Sequence, residues 1–185
     1  MADGSESIEL SRSELRAVAG YAVACARPAL AVFERERPGD RRPRTAIDAA
    51  QAFADGGERT KALRDSAWAA QRAAHEARDA GQSAASDAAR AALAAAGAAF
   101  LHPLPTAAQV KHILGSAAHA ARAFELFAGD DPAVGLDRIA RFRVLAPPVV
   151  VDVLRRYPGA PSGGRRVGEL IRVLDASLRR PASDR

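Results

Sequence analysis

Four histidines, one cysteine and a few adjacent carboxylates are the side chains of this 185-residue chain whose types could do chemistry. A metal site on a helix needs ligands three or four residues apart on one face, as in H-E-x-x-H. His112 and His119 share a face but stand two turns apart, about 10 Å along the axis, too far for one ion to bridge. His75 is followed by Glu76 yet has no histidine four residues on, and His102 stands apart between leucine and proline. All four are expected to be satisfied, half-buried side chains on alanine faces, with no metal and no cofactor. Cys25 falls in an apolar stripe with no histidine or acid within a turn, the setting of an inert buried thiol. Asp130 and Asp131 stand where a helix start needs capping. The stretch "SGGRRVGEL" (162–170) has glycines but neither the lysine nor the hydroxyl of a phosphate loop. No catalytic set assembles, so the chain is read as a non-enzyme.

The arginines are the stronger signal. "PGDRRPRTAIDAAQAFADGG" (38–57) places Arg41, Arg42 and Arg44 at a helix start, the wrong end of the macrodipole for positive charge. Asp40 beside them, and Asp48 four residues after Arg44, can pair with these arginines and offset that cost. Two roles are open for Asp40, Arg41, Arg42, Arg44 and Asp48: a structural staple between helices, or anchors for an acidic partner surface. Arginine suits either, because its planar fork binds carboxylates bidentately.

The apolar residues along the chain recur at helical period, and no run alternates convincingly with strand period. "SRSE" from Ser11 has capping-box spacing, and Leu15, Val18, Ala22, Cys25, Ala26, Ala29 and Phe33 follow on one face, with Pro28 expected to kink or divide the helix. Pro43 suits a first turn. Ala46, Ile47, Ala50, Phe53 and Ala54 form the next stripe, closed by Gly56-Gly57. A third helix runs from Lys61 to Ala80, with Trp68 read as a large core anchor among alanines. Ser83 is expected to cap a fourth, reaching about Leu101. Thr106 and Gln109 have capping-box spacing before a fifth that carries Val110, Ile113, Leu114, Ala117, Ala121, Phe124 and Phe127. Pro132–Arg143, Pro147–Arg156 and Arg165–Arg180 complete an all-α chain of about seven or eight helices, an antiparallel bundle or a short helical-pair array. A disordered tail (1–10) and a single domain (11–180), divided into an alanine-rich part (11–129) and a basic part (130–180), are expected.

Composition sets the outer bounds. Hydrophobic residues make up 48% but aromatics only 5%, so closely approaching helices with a small-residue interior are expected. No apolar run approaches the roughly 20 residues of a membrane span. The acidic, polar N-terminus is no signal peptide, and a single cysteine precludes an internal disulfide, so a cytoplasmic chain is expected. Residues 1–130 carry 16 Lys or Arg against 16 Asp or Glu, whereas 131–185 carry 11 Arg against 6 acids, so the net +5 lies wholly at the C-terminal end. That skew gives the alternative reading: nucleic-acid binding through Arg138, Arg141, Arg143, Arg155, Arg156, Arg165 and Arg166.

The order of "VFERERPGD", "RRPRTAIDAAQAFADG" and "ALRDSAWAAQRAAHEARDA" resembles the immunity proteins of bacterial polymorphic toxin systems, over about Leu15 to Leu101. Asp40, Arg42, Pro43, Arg44, Ala46, Ile47 and Gly56 carry the resemblance. Phe53 stands where the family pattern has tryptophan, and the segment after about Gly129 has no counterpart. The resemblance implies a non-catalytic protein that binds a cognate toxin one to one, without a membrane or nucleic acid.

Overall fold

The computed structural model describes residues 7–180; residues 1–6 of the expected tail lie outside the described residues. The chain is all-α. Ser11 caps α1 (Arg12–Ala26): its hydroxyl accepts from the Glu14 amide at 3.1 Å, and the Glu14 carboxylate accepts from the Ser11 amide at 2.8 Å. Pro28 tightens Arg27–Ala29 into a 3-10 turn without stopping the rod, which continues as α2 (Leu30–Glu36). The joined rod of 25 residues is long and apolar enough to cross a membrane by length and composition, which a search for unbroken apolar runs misses. In this fold 61% of its apolar window is buried in the bundle, as for a core helix.

Then follow α3 (Arg42–Ala54), α4 (Lys61–Asp79), α5 (Ser83–Ala98), a 3-10 turn at Ala107–Gln109, α6 (Val110–Phe127), α7 (Pro132–Leu145), α8 (Pro148–Arg155) and α9 (Arg165–Arg179). Two expected caps are not made. Ser83 is already the first helical residue of α5, with Gln82 before it making no side-chain cap bond. Thr106 does not cap; the Gln109 side chain turns back instead and accepts from the His102 amide at 3.1 Å. Asp131 caps α7, accepting from the Ala133 amide at 2.9 Å.

α5 is the axis of the bundle. Ala85, Ala88, Ala89, Ala91, Ala92, Ala95, Ala96 and Ala98 are each at most 1% exposed, and α5 packs against α1, α2, α3, α4 and α6. A helix apolar all round is one enclosed all round, and alanine lets several neighbours come close. Side-chain bonds fix the directions. Ser86 Oγ donates to Ala74 O on α4 at 2.8 Å, Asp87 meets His119 on α6 at 2.7 Å, and Ser116 Oγ lies 3.1 Å from Ala91 O and 2.7 Å from Ala22 O. Residue numbers rise along α5 as they fall along α6, so the two are antiparallel; the enclosure of α5 by five other helices makes the arrangement a bundle rather than a stacked array.

α7 and α9 pack on α6, and α8 on α1. The join includes a buried carboxylate: Glu125, fully buried near the end of α6, accepts from Arg122 at 2.8 Å and from Arg166 of α9 at 3.0 Å. Tyr21 donates to Phe142 O at 3.1 Å and Tyr157 to His102 O at 2.8 Å. Residues 7–10 lie against the bundle, the Ile8 amide donating to Pro103 O at 2.8 Å and Arg156 to Glu9 O at 2.7 Å.

Candidate functional site

The arginine segment forms the corner between α2 and α3. Asp40 folds back in a tight turn, and its carboxylate accepts from the Arg42 amide at 3.1 Å and from the Arg42 guanidinium at 2.9 and 2.6 Å. The other edge of that guanidinium reaches Glu76 on α4, at 2.9 and 2.5 Å. Arg37 adds a bond to Gln82 at 3.0 Å and lies 3.5 Å from Glu76 and 3.8 Å from Asp40. Arg42 and these bonds hold Asp40 and Glu76 below the usual carboxylate range. Positive charge at this helix start is thus balanced by a carboxylate from inside the turn and another from a neighbouring helix.

Arg44 does not pair with Asp48, although the four-residue spacing favours it. Its Nε and Nη2 grip Glu34 of α2 at 2.7 and 2.8 Å, a bidentate fork that one turn of the same helix cannot match, and this lowers the Glu34 pKa. Asp48 instead lies 3.4 Å from Arg27. Arg41 is exposed and has no ion pair among the described residues. The partners Glu34, Glu76 and Gln82 escape a sequence reading because they lie 10 to 45 positions away from the arginines they bind.

Trp68 is not a core anchor: it is 56% exposed. The buried face of α4 is Leu63, Ser66, Ala70, Ala73, Ala74 and Ala77. Trp68 stands five residues after Leu63, about 140° around the helix, on the solvent side. That angle was available in the sequence; the alanines flanking Trp68 hid it, because alanine fits either face. Arg64 and Arg72 stand one turn before and after Trp68. Arg64 lies 5.1 Å over the Phe100 ring, whereas Arg72 is exposed with no ion pair among the described residues. A shallow groove of about 550 Å³ separates the corner from α4, with Arg41 and Thr45 on one bank and Ala69, next to Trp68, on the other.

The seven C-terminal arginines are dispersed over α7, α8 and α9. Arg138 lies 3.7 Å over the Phe124 ring, Arg141 pairs with Asp137, Arg155 reaches Arg179 O, Arg156 pairs with Glu14, and Arg166 pairs with Glu125 and Glu169. Arg143 and Arg165 have no such partner among the described residues.

Of the histidines, only His119 has a side-chain partner among the described residues, Asp87; His102 is exposed rather than half-buried, and partial burial lowers the pKa of His112. Among the described residues no three His, Cys, Asp or Glu side chains converge as a metal site would need. Cys25 is fully buried, and burial pushes its thiol up to about 12. Phe127, expected on the apolar face of α6, is 45% exposed beneath Arg35.

No curated protein and no solved structure matches the chain. A family model described as "Imm-5 like putative immunity protein" matches residues 9–143. The match runs from α1 to near the end of α7, past Gly129, where the sequence offered no counterpart, and it excludes α8 and α9.

Proposed function

The chain belongs to the Imm-5 like immunity protein family, and from that premise we propose that it neutralises a cognate bacterial toxin in the cytoplasm by stoichiometric binding, without catalysis. The observation that carries this reading is Trp68, the only tryptophan, held 56% exposed on α4. Tryptophan and arginine dominate binding hot spots because each buries a large rigid area around a polar handle. Here Trp68 is accompanied on α4 by Arg72, and Arg41 lines the shallow groove bordered by Ala69, the residue after Trp68; neither arginine has an ion pair among the described residues. On this account Asp40, Arg42, Arg44 and Glu76 set the corner in place, Arg41 and Trp68 contact the toxin, and Asp48 lies at the margin. A bundle already fixed by such pairs loses little conformational freedom on binding.

The test is bacterial survival with neighbouring reading frames expressed one at a time, with and without this chain. One frame is expected to kill alone and to be silenced by co-expression. Trp68→Ala should weaken that complex by roughly 30-fold, about 2 kcal/mol, with the helical circular dichroism unchanged because the side chain is exposed. If no frame is toxic, or if Trp68→Ala combined with Arg41→Glu binds and protects as well as the parent, this reading is wrong.

A further inference from the structure

A second surface, away from the arginine corner, has its own chemistry. Along α5, Asp87, Arg90 and Ala94 recur at helical spacing, facing Lys111, His119 and Arg122 of the antiparallel α6. The start of α9, Gly164 to Gly168, closes the third side of a groove of about 640 Å³. Six Lys or Arg side chains line it against one carboxylate, Asp87, which His119 already engages at 2.7 Å. Arg122 and Arg166 are tied to Glu125 and Arg78 to Asp79. Arg90, Lys111 and Arg165 have no ion pair among the described residues. Arg165 follows two glycines at φ +81° and +78° and is itself at φ +50°, a conformation uncommon for a bulky residue. The floor is aliphatic: Leu93, Leu126, Val167 and Ile171.

We propose that this groove receives an acidic, extended segment of the toxin, with carboxylates meeting Arg90, Lys111 and Arg165 and aliphatic side chains on the floor. The inference rests on the toxin-binding reading above. Lys111 to Leu126 spans about 22 Å of helix, which accommodates six or seven residues of extended chain at about 3.3 Å each. Charge complementarity selects carboxylates, and the alternation of an extended strand sends them to the rim while its other face meets the floor. No phenylalanine, tyrosine or tryptophan lines the groove, so it lacks the stacking platforms with which proteins hold single-stranded nucleic acid. Because α9 lies outside the family match, Arg165 supplies specificity that relatives sharing only α1 to α7 would not have.

The probe is a fluorescein-labelled heptapeptide alternating glutamate with leucine, titrated by anisotropy against the full chain. It should bind, lose affinity at least about tenfold in 0.5 M salt, and lose about as much in the Arg90→Glu, Lys111→Glu, Arg165→Glu triple variant. A lysine-for-glutamate peptide should not bind, and Trp68→Ala should bind the acidic peptide as the parent does. Should the triple variant lose helicity, Lys111→Glu alone, at an exposed position, should still weaken the peptide about threefold. No binding, or tighter binding of a labelled oligouridylate, overturns the groove as a peptide site. In the survival assay the triple variant should lose protection. If it protects fully, the toxin is not the occupant while neutralisation stands. If no frame is toxic, neutralisation itself fails, and the peptide titration still decides the groove.

Discussion

Glu125 sits in the bundle with its side chain wholly excluded from water, and Arg122 and Arg166 approach it from α6 and α9. Gly135 on α7 leaves the room: a Cβ there would overlap the Glu125 carboxylate. Glu125→Ala leaves Arg122 with Asp130 and Arg166 with Glu169 but removes the buried acceptor that both share, so it should cost about 1 to 3 kcal/mol of folding stability. Urea unfolding measures it, and a change under 1 kcal/mol would mean the carboxylate is not structural. Neither Glu125 nor its partner across 41 positions carries a sequence signal. Trp68 was legible in principle, from its angle to Leu63, but in an alanine-rich helix small residues mark no face and a lone large one is easily assigned inward. Arg44 shows the same limit for charge: local spacing proposes Asp48, and the fold supplies Glu34 with better geometry.

At the scale of elements, the boundaries were largely legible because caps and prolines act locally. The Ser11–Glu14 box, Pro28, Pro43 and Gly56 each do what their chemistry predicts, whereas the unused caps at Ser83 and Thr106 yield to packing. The enclosure of α5 was visible only as alanine richness. It makes a sharp prediction: Ala92→Leu, at a fully buried position, should cost about 1 to 3 kcal/mol by overpacking, read as a lower urea midpoint, although leucine is a good helix former. Acid sensitivity also belongs to the joints between elements. Glu14 is held at about 2 by its bonds to Arg156 and Ser11, and Glu34, Asp40 and Glu76 are lowered by their arginines. A carboxylate whose folded pKa lies below its unfolded value stabilises the fold above that unfolded value, and the contribution fades as pH falls through the folded one. Stability should therefore decline from about pH 4.5 towards pH 2, and Arg156→Gln should flatten that decline. An unchanged profile in the variant would show that the Glu14 pair is not responsible.

At the scale of the whole molecule, charge is allocated more finely than the N-terminal and C-terminal balance suggests. Arg138, Arg156 and Arg166 tie the C-terminal helices to the residues before them, whereas Arg141, Arg155, Arg172 and Arg179 bond within the C-terminal segment. Among the described residues, cations without ion pairs stand at the α2–α3 corner and around the α5–α6 groove. A preorganised helical body with aromatic and basic contacts on its surface is suited to occupying a partner rather than transforming a substrate. The most direct measurement is a titration: the activity of the purified product of the toxic frame, followed as this chain is added. Stoichiometric neutralisation predicts a linear fall to zero at one equivalent, with the chain recovered unchanged in the complex. Inactivation by far less than one equivalent would reveal turnover, and undiminished activity at several equivalents would remove the toxin as partner.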